Sequence, residues 1–326
     1  LAREQVLSKR KRLVLALDIG GTHFRVALAN EKGELLKQYK GRSHPEKGPD
    51  EAIESIIQSI TEMLSDVGPG SVMGTGISIA GLVTPQTGVL LTSPNMLSWY
   101  NTPLKDIFER ELQMSVAVGN DANLAVLGEH RFGAGVGSDH VIYMTVSTGI
   151  GGGVISGGKL ITGSCGFAAE LGHMTIDFNG PRCNCGSIGC LEIMASGTAI
   201  ARMASERLSR GAVSNIANLV DGDLSKVTAE VVVKAAESGD TLAGEVMHTA
   251  ASNLGVGLAN YVHIFNPDII ALGGGVSQAG QLLFEPVRSV VAERIMPDYS
   301  VSIIPAALGD DSGLLGAAAL VLGDYL

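Results

Sequence analysis

One histidine and three cysteines between Thr145 and Glu192 make a complete donor set for a tetrahedral metal: His173, then Cys183 and Cys185 with one residue between them, then Cys190. Three thiolates and an imidazole suit zinc. A filled shell leaves no open position for water, so the expected ion is structural and pins the loop 173–190. Reduced, unliganded cysteines or a redox pair are the alternatives, and the spacing with Gly186 beside the thiols favours the metal. Just upstream, Glu170 and His173 stand three apart, a spacing that would put both on one side of a helical turn. Further upstream, Thr148, Gly149 and the glycines to Gly153 separate the apolar runs VIYMTV and VISG. They read as a hairpin whose tip offers backbone N–H groups to phosphate. The stretch Gly153 to Lys159 has P-loop spacing, but Leu160 replaces the Ser or Thr that holds magnesium and no helical period follows, which excludes a P-loop. The absence of G-x-G-x-x-G removes the main support for a dinucleotide fold.

The elements around this stretch alternate between strand and helix. Apolar runs at 13–19 and 24–30 flank Asp18, Gly20, Gly21 and Thr22, a second strand, glycine turn, strand unit. Asp18 would point a carboxylate towards the turn, where it could help hold magnesium on a nucleotide, and Gly20, Gly21 and Thr22 offer donors to phosphate. The same residues also suit an ordinary hairpin. A third strand is expected at 35–40, a helix at 49–64, a strand at 74–80 leading to Gly81, a helix from Thr102 to Leu112, a strand at 115–118 and a helix running to Phe132. Asn95 follows Ser93-Pro94 and would by itself be a turn residue. Asp121, in Gly119-Asn120-Asp121-Ala122-Asn123, would by itself be a helix cap. Beyond Gly197, helical periods cover 198–208, 228–237, 240–264, 280–294 and 311–322, with strands at 269–272 and 301–304. Gly273, Gly274 and Gly275 end the first of those strands, where backbone can approach an adenine or ribose closely. Two α/β lobes around a cleft follow from this order, residues 1–119 with 311–326 in the smaller and 120–310 in the larger.

Val146-Ser-Thr-Gly-Ile-Gly-Gly-Gly153, Gly163, Ala169, Glu170-Leu-Gly-His173 and the C-x-C-G-x-x-G-C cluster together resemble the signature of the ROK family, which contains sugar kinases and repressors. Asp18-Ile-Gly-Gly-Thr22, Gly119 to Asn123 and Gly273 to Ser277 extend the resemblance in the family's order across residues 13 to 320. The resemblance implies the actin-like ATPase (ribonuclease H-like) fold and transfer of phosphate from magnesium ATP to the 6-hydroxyl of glucose. It implies that Asp121 is the general base, that Asn120 and Glu170 position the sugar ring, and that Gly81, Asn95 and Glu192 lie on the sugar side. His173 would serve both zinc and sugar, the metal on one ring nitrogen fixing the tautomer of the other. Asp18, Gly20, Gly21, Thr22, Thr148, Gly149, Gly274 and Gly275 would face the nucleotide. Taken by spacing alone, the carboxylates and amides could equally form a surface salt-bridge network. Kinases of fructose, mannose, allose or N-acetylmannosamine share the pattern, as does a sugar sensor without catalysis. Dimers or tetramers are expected from the same resemblance.

Bulk properties narrow the classes. The 326 residues are 45% apolar and 17% charged with a net charge of -10, values that fit a globular protein and oppose non-specific binding to nucleic acid or anionic lipid. Three of the four cysteines fall in the metal set, leaving Cys165 unpaired and pointing to a reducing cytoplasm. The basic run Lys9 to Arg12 before the first strand reads as a solvated lead-in, since Asp18 interrupts the apolar run that a signal peptide would need. Only twelve residues precede that strand, which argues against a DNA-reading segment. The apolar run Gly313 to Gly323 is too short to span a bilayer and suits a buried helix.

Overall fold

The computed structural model describes residues 12–68, 70–323 and Tyr325, so Lys9 to Lys11 lie outside the described part. Two compact units divide the chain, Leu1–Gly137 with Gly158–Ala169 and Asp310–Leu326 in one, Ser138–Gly157 with Glu170–Gly309 in the other.

In the first unit, β1 (Leu13–Ile19) is buried along its length except at Asp18, as its unbroken apolar run requires. It pairs antiparallel with β2 (His23–Asn30), and β3 (Leu35–Arg42) follows at the edge. Helix α1 (Pro49–Leu64) opens with Pro in its first turn and Asp50 and Glu51 beside it, both favourable at the positive end of a helix. Its stripe of Ile53, Ile56, Ile60 and Met63 buries into the core that Leu15, Leu17, Val26 and Ile77 share. Strand β4 (Val72–Ile79) runs parallel to β1, and β5 (Leu82–Thr84), β6 (Val89–Thr92) and β7 (Thr102–Pro103) make a separate small sheet. Helix α2 therefore begins at Leu104, not at Thr102 as its sequence period suggests, because Thr102 pairs with Leu90 and Pro103 with Val89. After α2 (Leu104–Leu112), β8 (Val116–Asn120) completes the order β3-β2-β1-β4-β8, and α3 (Asp121–Phe132) follows at once. The expected division at residue 120 thus falls within the first unit of this partition.

The second unit repeats the plan. Strands β9 (Val141–Val146) and β10 (Ile150–Ser156) form the second hairpin; the two-residue β11 (Lys159–Leu160) opens the return to the first unit. Helices α4 (Leu191–Ala195), α5 (Gly197–Ser209), α6 (Ile216–Leu219), α7 (Ala229–Glu237) and α8 (Thr241–Phe265) come next. Strand β12 (Ile269–Gly273), α9 (Gln281–Arg294) and β13 (Ser302–Pro305) finish it. Strand β9 pairs in parallel with β12 and β12 with β13, just as β1 pairs with β4 and β4 with β8. Each glycine turn therefore ends the first strand of an antiparallel hairpin whose other neighbour is parallel.

Helix α10 (Ser312–Leu322) belongs to the first unit and is buried along most of its length. A Cβ at Gly76 would lie 2.0 Å from the Ala317 carbonyl and one at Gly316 1.9 Å from that of Leu124, so glycine is what lets α10 lie this close to β4 and α3. Among the described residues no helix is long and apolar enough to cross a membrane.

Candidate active site

On the first unit, the turn after β1 lies against Asn95: a Cβ on Gly21 would stand 2.8 Å from the Asn95 Cβ. Gly20 N–H donates to the His23 carbonyl at 2.9 Å, closing the turn. Asp18 is held from both sides. Its Oδ2 accepts Arg25 Nη2 at 2.7 Å and Nε at 3.2 Å, and its Oδ1 accepts the Ser78 hydroxyl at 3.0 Å. Arg25 also pairs with Asp311 Oδ1 at 3.4 Å and donates to the Asp310 carbonyl. Both carboxylate oxygens are thus engaged, one by the Arg25 guanidinium and the other by the Ser78 hydroxyl, and the two together fix the carboxylate's orientation. Arg25 and Ser78 carried no recognisable signal in the sequence; only the pairing of β1 with β2 and β4 brings them to Asp18.

Asn120 caps α3. Its Oδ1 accepts Ala122 N–H at 3.0 Å and Asn123 N–H at 3.1 Å, and its Nδ2 donates to the Gly81 carbonyl at 3.1 Å. Asp121, the residue that looked like the cap, is the first residue of the helix and is exposed, with Oδ1 accepting the N–H of Ala122 at 2.9 Å. Gly81 has φ +144, and a Cβ there would come within 2.4 Å of the Thr92 carbonyl, so this loop shape needs glycine. Asn95 is exposed on its loop, its N–H reaching Ser93 Oγ at 3.3 Å.

On the second unit the glycines do different work from the one expected of them. Gly151 to Gly153 are not at the hairpin tip; they lie inside β10, and the turn is Ser147, Thr148 and Gly149. A Cβ on Gly152 would meet Leu171 Cδ1 at 2.6 Å, and one on Gly172 the Ile150 carbonyl at 2.1 Å. Close packing of the segment 170–173 on β10, rather than access for a ligand, is what these positions require. That segment is a 3-10 turn, Leu171–His173, rather than an α-helical one, with His173 N–H donating to the Glu170 carbonyl at 3.0 Å. Glu170 itself is exposed. Buried Tyr261 of α8 donates its hydroxyl to the Leu171 carbonyl, and burial raises the phenol's pKa above its ordinary value. Gly274, with φ +85, likewise approaches protein: its Cβ would stand 2.5 Å from the Val146 carbonyl.

Beside this turn is a cavity of about 830 Å³, lined by Ser147, Thr148, Thr198, Thr228, Glu230 and Gly275 among others. Its volume lies in the range of small-molecule sites. The Ser147 carbonyl accepts Gly197 N–H at 2.7 Å and the Thr148 carbonyl accepts Thr198 Oγ1 at 2.8 Å, which draws the turn's oxygens towards α5. The N–H groups of Thr148 and Gly149 take no part in those bonds. Of the residues expected at a nucleotide on this unit, Thr148 and Gly275 line the cavity, whereas Gly149 lies under the Glu192 carboxylate and Gly274 against the Val146 carbonyl. Thr228 caps α7 through Val231 N–H at 3.3 Å, so helix-start chemistry was readable there, but Glu230 and Thr198 were not.

His173, Cys183, Cys185 and Cys190 bring one donor atom each to within 4.8 Å of one another. Cys183 Sγ lies 3.9 Å from His173 Nδ1, and Cys185 Sγ 3.6 Å from Cys190 Sγ, edges close to those of a tetrahedron with metal–sulfur bonds of about 2.3 Å. Burial pushes the Cys190 thiol up to about 12, the neighbouring Cys185 and Cys183 adding to the shift, while the Ser187 backbone N–H lowers that of Cys185. A divalent cation among the four would deprotonate the thiols and reverse the first effect. The donor set fits such an ion.

Glu192 is the second residue of α4, two after Cys190, and its Oε2 accepts the Ile150 N–H at 2.9 Å, so the acid is seated on the β9–β10 turn.

The ROK family model matches residues 14–324. A Thermotoga maritima glucokinase is 40% identical over 310 residues, covering 94% of this chain and 96% of that protein. A xylose repressor of Caldicellulosiruptor bescii is 30% identical over 317 residues, 96% of this chain and 79% of the repressor. Among solved structures, a ROK family glucokinase from Streptomyces griseus in complex with glucose and AMPPNP superposes with a TM-score of 0.77 at 36% identity, over 94% of this chain and 98% of that one. ROK sugar kinases have the actin-like ATPase fold, and the hairpin-and-parallel plan repeated in the two units is that fold. With the motifs in family order, the paired topology and a family model spanning nearly its whole length, this chain belongs to the ROK family.

Proposed function

We propose that the protein is an ATP-dependent hexose kinase that transfers the γ-phosphoryl group to the 6-hydroxyl of glucose. The observation that carries the reading is an exposed carboxylate, Asp121, on the first residue of α3 directly after the cap Asn120, a position suited to accept a hydroxyl proton. The 40% identity with a protein named glucokinase supports the sugar, and the cavity beside the Ser147–Gly149 turn supports a nucleoside triphosphate.

Asp121 is the general base in this reading. Gly81, Asn95, Asn120, Glu170, His173 and Glu192 are the residues we assign to the sugar, as acceptors and donors for its hydroxyls. Gly20, Gly21, Thr22, Thr148 and Gly149 are assigned as N–H and hydroxyl donors for phosphate oxygens. Gly274 and Gly275 lie near the nucleoside. Asp18 would help hold magnesium, which when bound neutralises charge on the transferring phosphoryl group. Zinc held by His173, Cys183, Cys185 and Cys190 would be structural and would orient the His173 ring. We place the enzyme in the cytoplasm as a homodimer or homotetramer.

A coupled ADP-release assay with magnesium ATP tests the reading against glucose, mannose, fructose, allose, N-acetylglucosamine and N-acetylmannosamine. Glucose turnover that disappears in Asp121→Ala is the expected result. Turnover of a different sugar alone would keep the mechanism and change the substrate; no turnover, with sugar binding retained in calorimetry, would point to a sensor. Cys185→Ser is expected to lose zinc by elemental analysis and to weaken glucose binding; unaltered glucose affinity in a zinc-free variant would remove the metal from the site's architecture.

A further inference from the structure

Glu192 makes two contacts that a sugar-binding acid does not need. Its Oε2 accepts the Ile150 N–H at 2.9 Å, at the first residue of β10. It also lies flat on the preceding residue, since a Cβ added to Gly149 would stand 2.4 Å from Oε2 and 3.2 Å from the carboxyl carbon. Around it, three parts of the second unit meet. Leu191 N–H donates to the Met174 carbonyl at 2.9 Å, and Thr175 bridges to Cys190, so the start of α4 is bound to the segment that follows His173. Gly172, just before His173, packs on the Ile150 carbonyl. The turn Ser147–Gly149, on its far side, is anchored to α5 through Gly197 and Thr198 and lines the large cavity with Ser147 and Thr148.

We propose that Glu192 is a positioning residue that sets the Ser147–Gly149 turn, so that sugar engaged by the same carboxylate favours nucleotide in the neighbouring cavity. This rests on the kinase reading above. Oε2 is committed to the Ile150 amide, and Oε1 takes no part in that bond, so one carboxylate can hold the turn and accept from a hydroxyl. A sugar that fixes Oε1 restricts the torsions of Glu192 and with them the Ile150 N–H and the two N–H groups before it. By linkage the effect is reciprocal: nucleotide tightens sugar by the same factor. The requirement for Gly149 follows as well, because a methyl there would drive the carboxylate off the Ile150 amide.

The test is calorimetric titration of the full chain with a non-hydrolysable magnesium ATP analogue, with and without saturating glucose, in the wild type, Glu192→Gln, Glu192→Ala, Gly149→Ala and the Gly149→Ala/Glu192→Ala double variant. Amide hydrogen exchange at Ile150 is followed in parallel. In the wild type, glucose should tighten analogue binding about 10-fold and slow Ile150 exchange. Glu192→Gln keeps an acceptor oxygen and should retain part of that factor. Glu192→Ala and Gly149→Ala should each bring the factor to near 1 and speed Ile150 exchange, and the double variant should be no worse than Glu192→Ala, as expected of two changes that break one contact. A wild-type factor near 1, or a full factor in Gly149→Ala with unaltered Ile150 exchange, would overturn the coupling while leaving the kinase reading intact. A wild type that binds no analogue at all would remove the kinase reading and the coupling together.

Discussion

Asn120 and Asp121, the base we propose, are neighbours whose parts can be separated by measurement. Asn120 satisfies two N–H groups at the start of α3 and ties the Gly81 loop to it. Asn120→Ala is expected to lower stability by about 1 kcal/mol, the usual loss on removing a cap, with a shifted urea midpoint as the readout. Asp121→Asn keeps an acceptor for the Ala122 N–H and changes an exposed side chain, so stability should move by less than about 0.5 kcal/mol. Its glucose turnover should fall by about 10²- to 10⁴-fold, the range for a lost general base. Turnover within a factor of two of wild type would discard Asp121 as the base. The chemistry-bearing types were legible from the chain at these positions because acid, amide and glycine are distinctive. Which of two adjacent residues caps the helix was not, since both types cap well and only the backbone at Asn120, extended at φ -63 and ψ 143, decides it.

At the scale of elements, α8 shows what a single charged cap can do. Asp240 precedes this 25-residue helix and accepts Ala243 N–H at 2.9 Å, Asn215 N–H at 2.7 Å and the Ser214 hydroxyl at 3.0 Å, joining the helix start to the loop before α6. Burial by itself would raise the carboxyl's pKa; the hydrogen bonds from Ala243, Asn215, Ser214 and Leu242 outweigh it and hold the pKa below the ordinary carboxylate value. A depressed folded pKa contributes stability that is present above the unfolded value of about 3.9 and is lost as pH falls through the folded one. Asp240→Ala should therefore lose about 1 kcal/mol or somewhat more at pH 7, and the gap to wild type should narrow in acid below about pH 3.9. A gap that is constant from pH 7 to pH 2.5 in urea titrations would remove the charge from the account. Helices such as α1 and α8 and the strands β1, β2, β9 and β12 could be read from period because each buries a continuous stripe or face. The small sheet β5-β6-β7 could not, because strands of two to four residues carry no period and are defined only by their pairing. The glycines of β10 were legible as glycines but not as packing sites, since the atoms that require them, in Leu171 and Tyr143, come from other segments.

On the scale of the whole molecule, the chain passes between its two units four times, after Gly137, Gly157, Ala169 and Gly309. Each passage falls on left-handed backbone: φ is +87 at Gly137, +59 at Gly157, +72 at Gly158, +67 at Ala169 and +54 at Gly309. Glycine adopts that region freely, whereas an L side chain is disfavoured there by about 1–2 kcal/mol. A Cβ added at Gly137, Gly157 or Gly309 would meet nothing within 4 Å, so sterics with neighbours play no part and only the backbone preference remains. Gly137→Ala and Gly309→Ala should each lower stability by about 1 kcal/mol, partly offset by the smaller entropy of the unfolded alanine chain. Ala169 is the one passage that already carries the strain. Ala169→Gly relieves it while loosening the unfolded chain, so the same two terms enter with opposite sign and the change should lie between neutrality and about 1 kcal/mol of stabilisation. The urea midpoints of the three variants, taken with unchanged slopes, decide the matter. Opposite directions for Ala169→Gly and Gly309→Ala are the expected result, and a destabilised Ala169→Gly would mean that the Ala169 methyl contributes more by its contacts than its backbone conformation takes away.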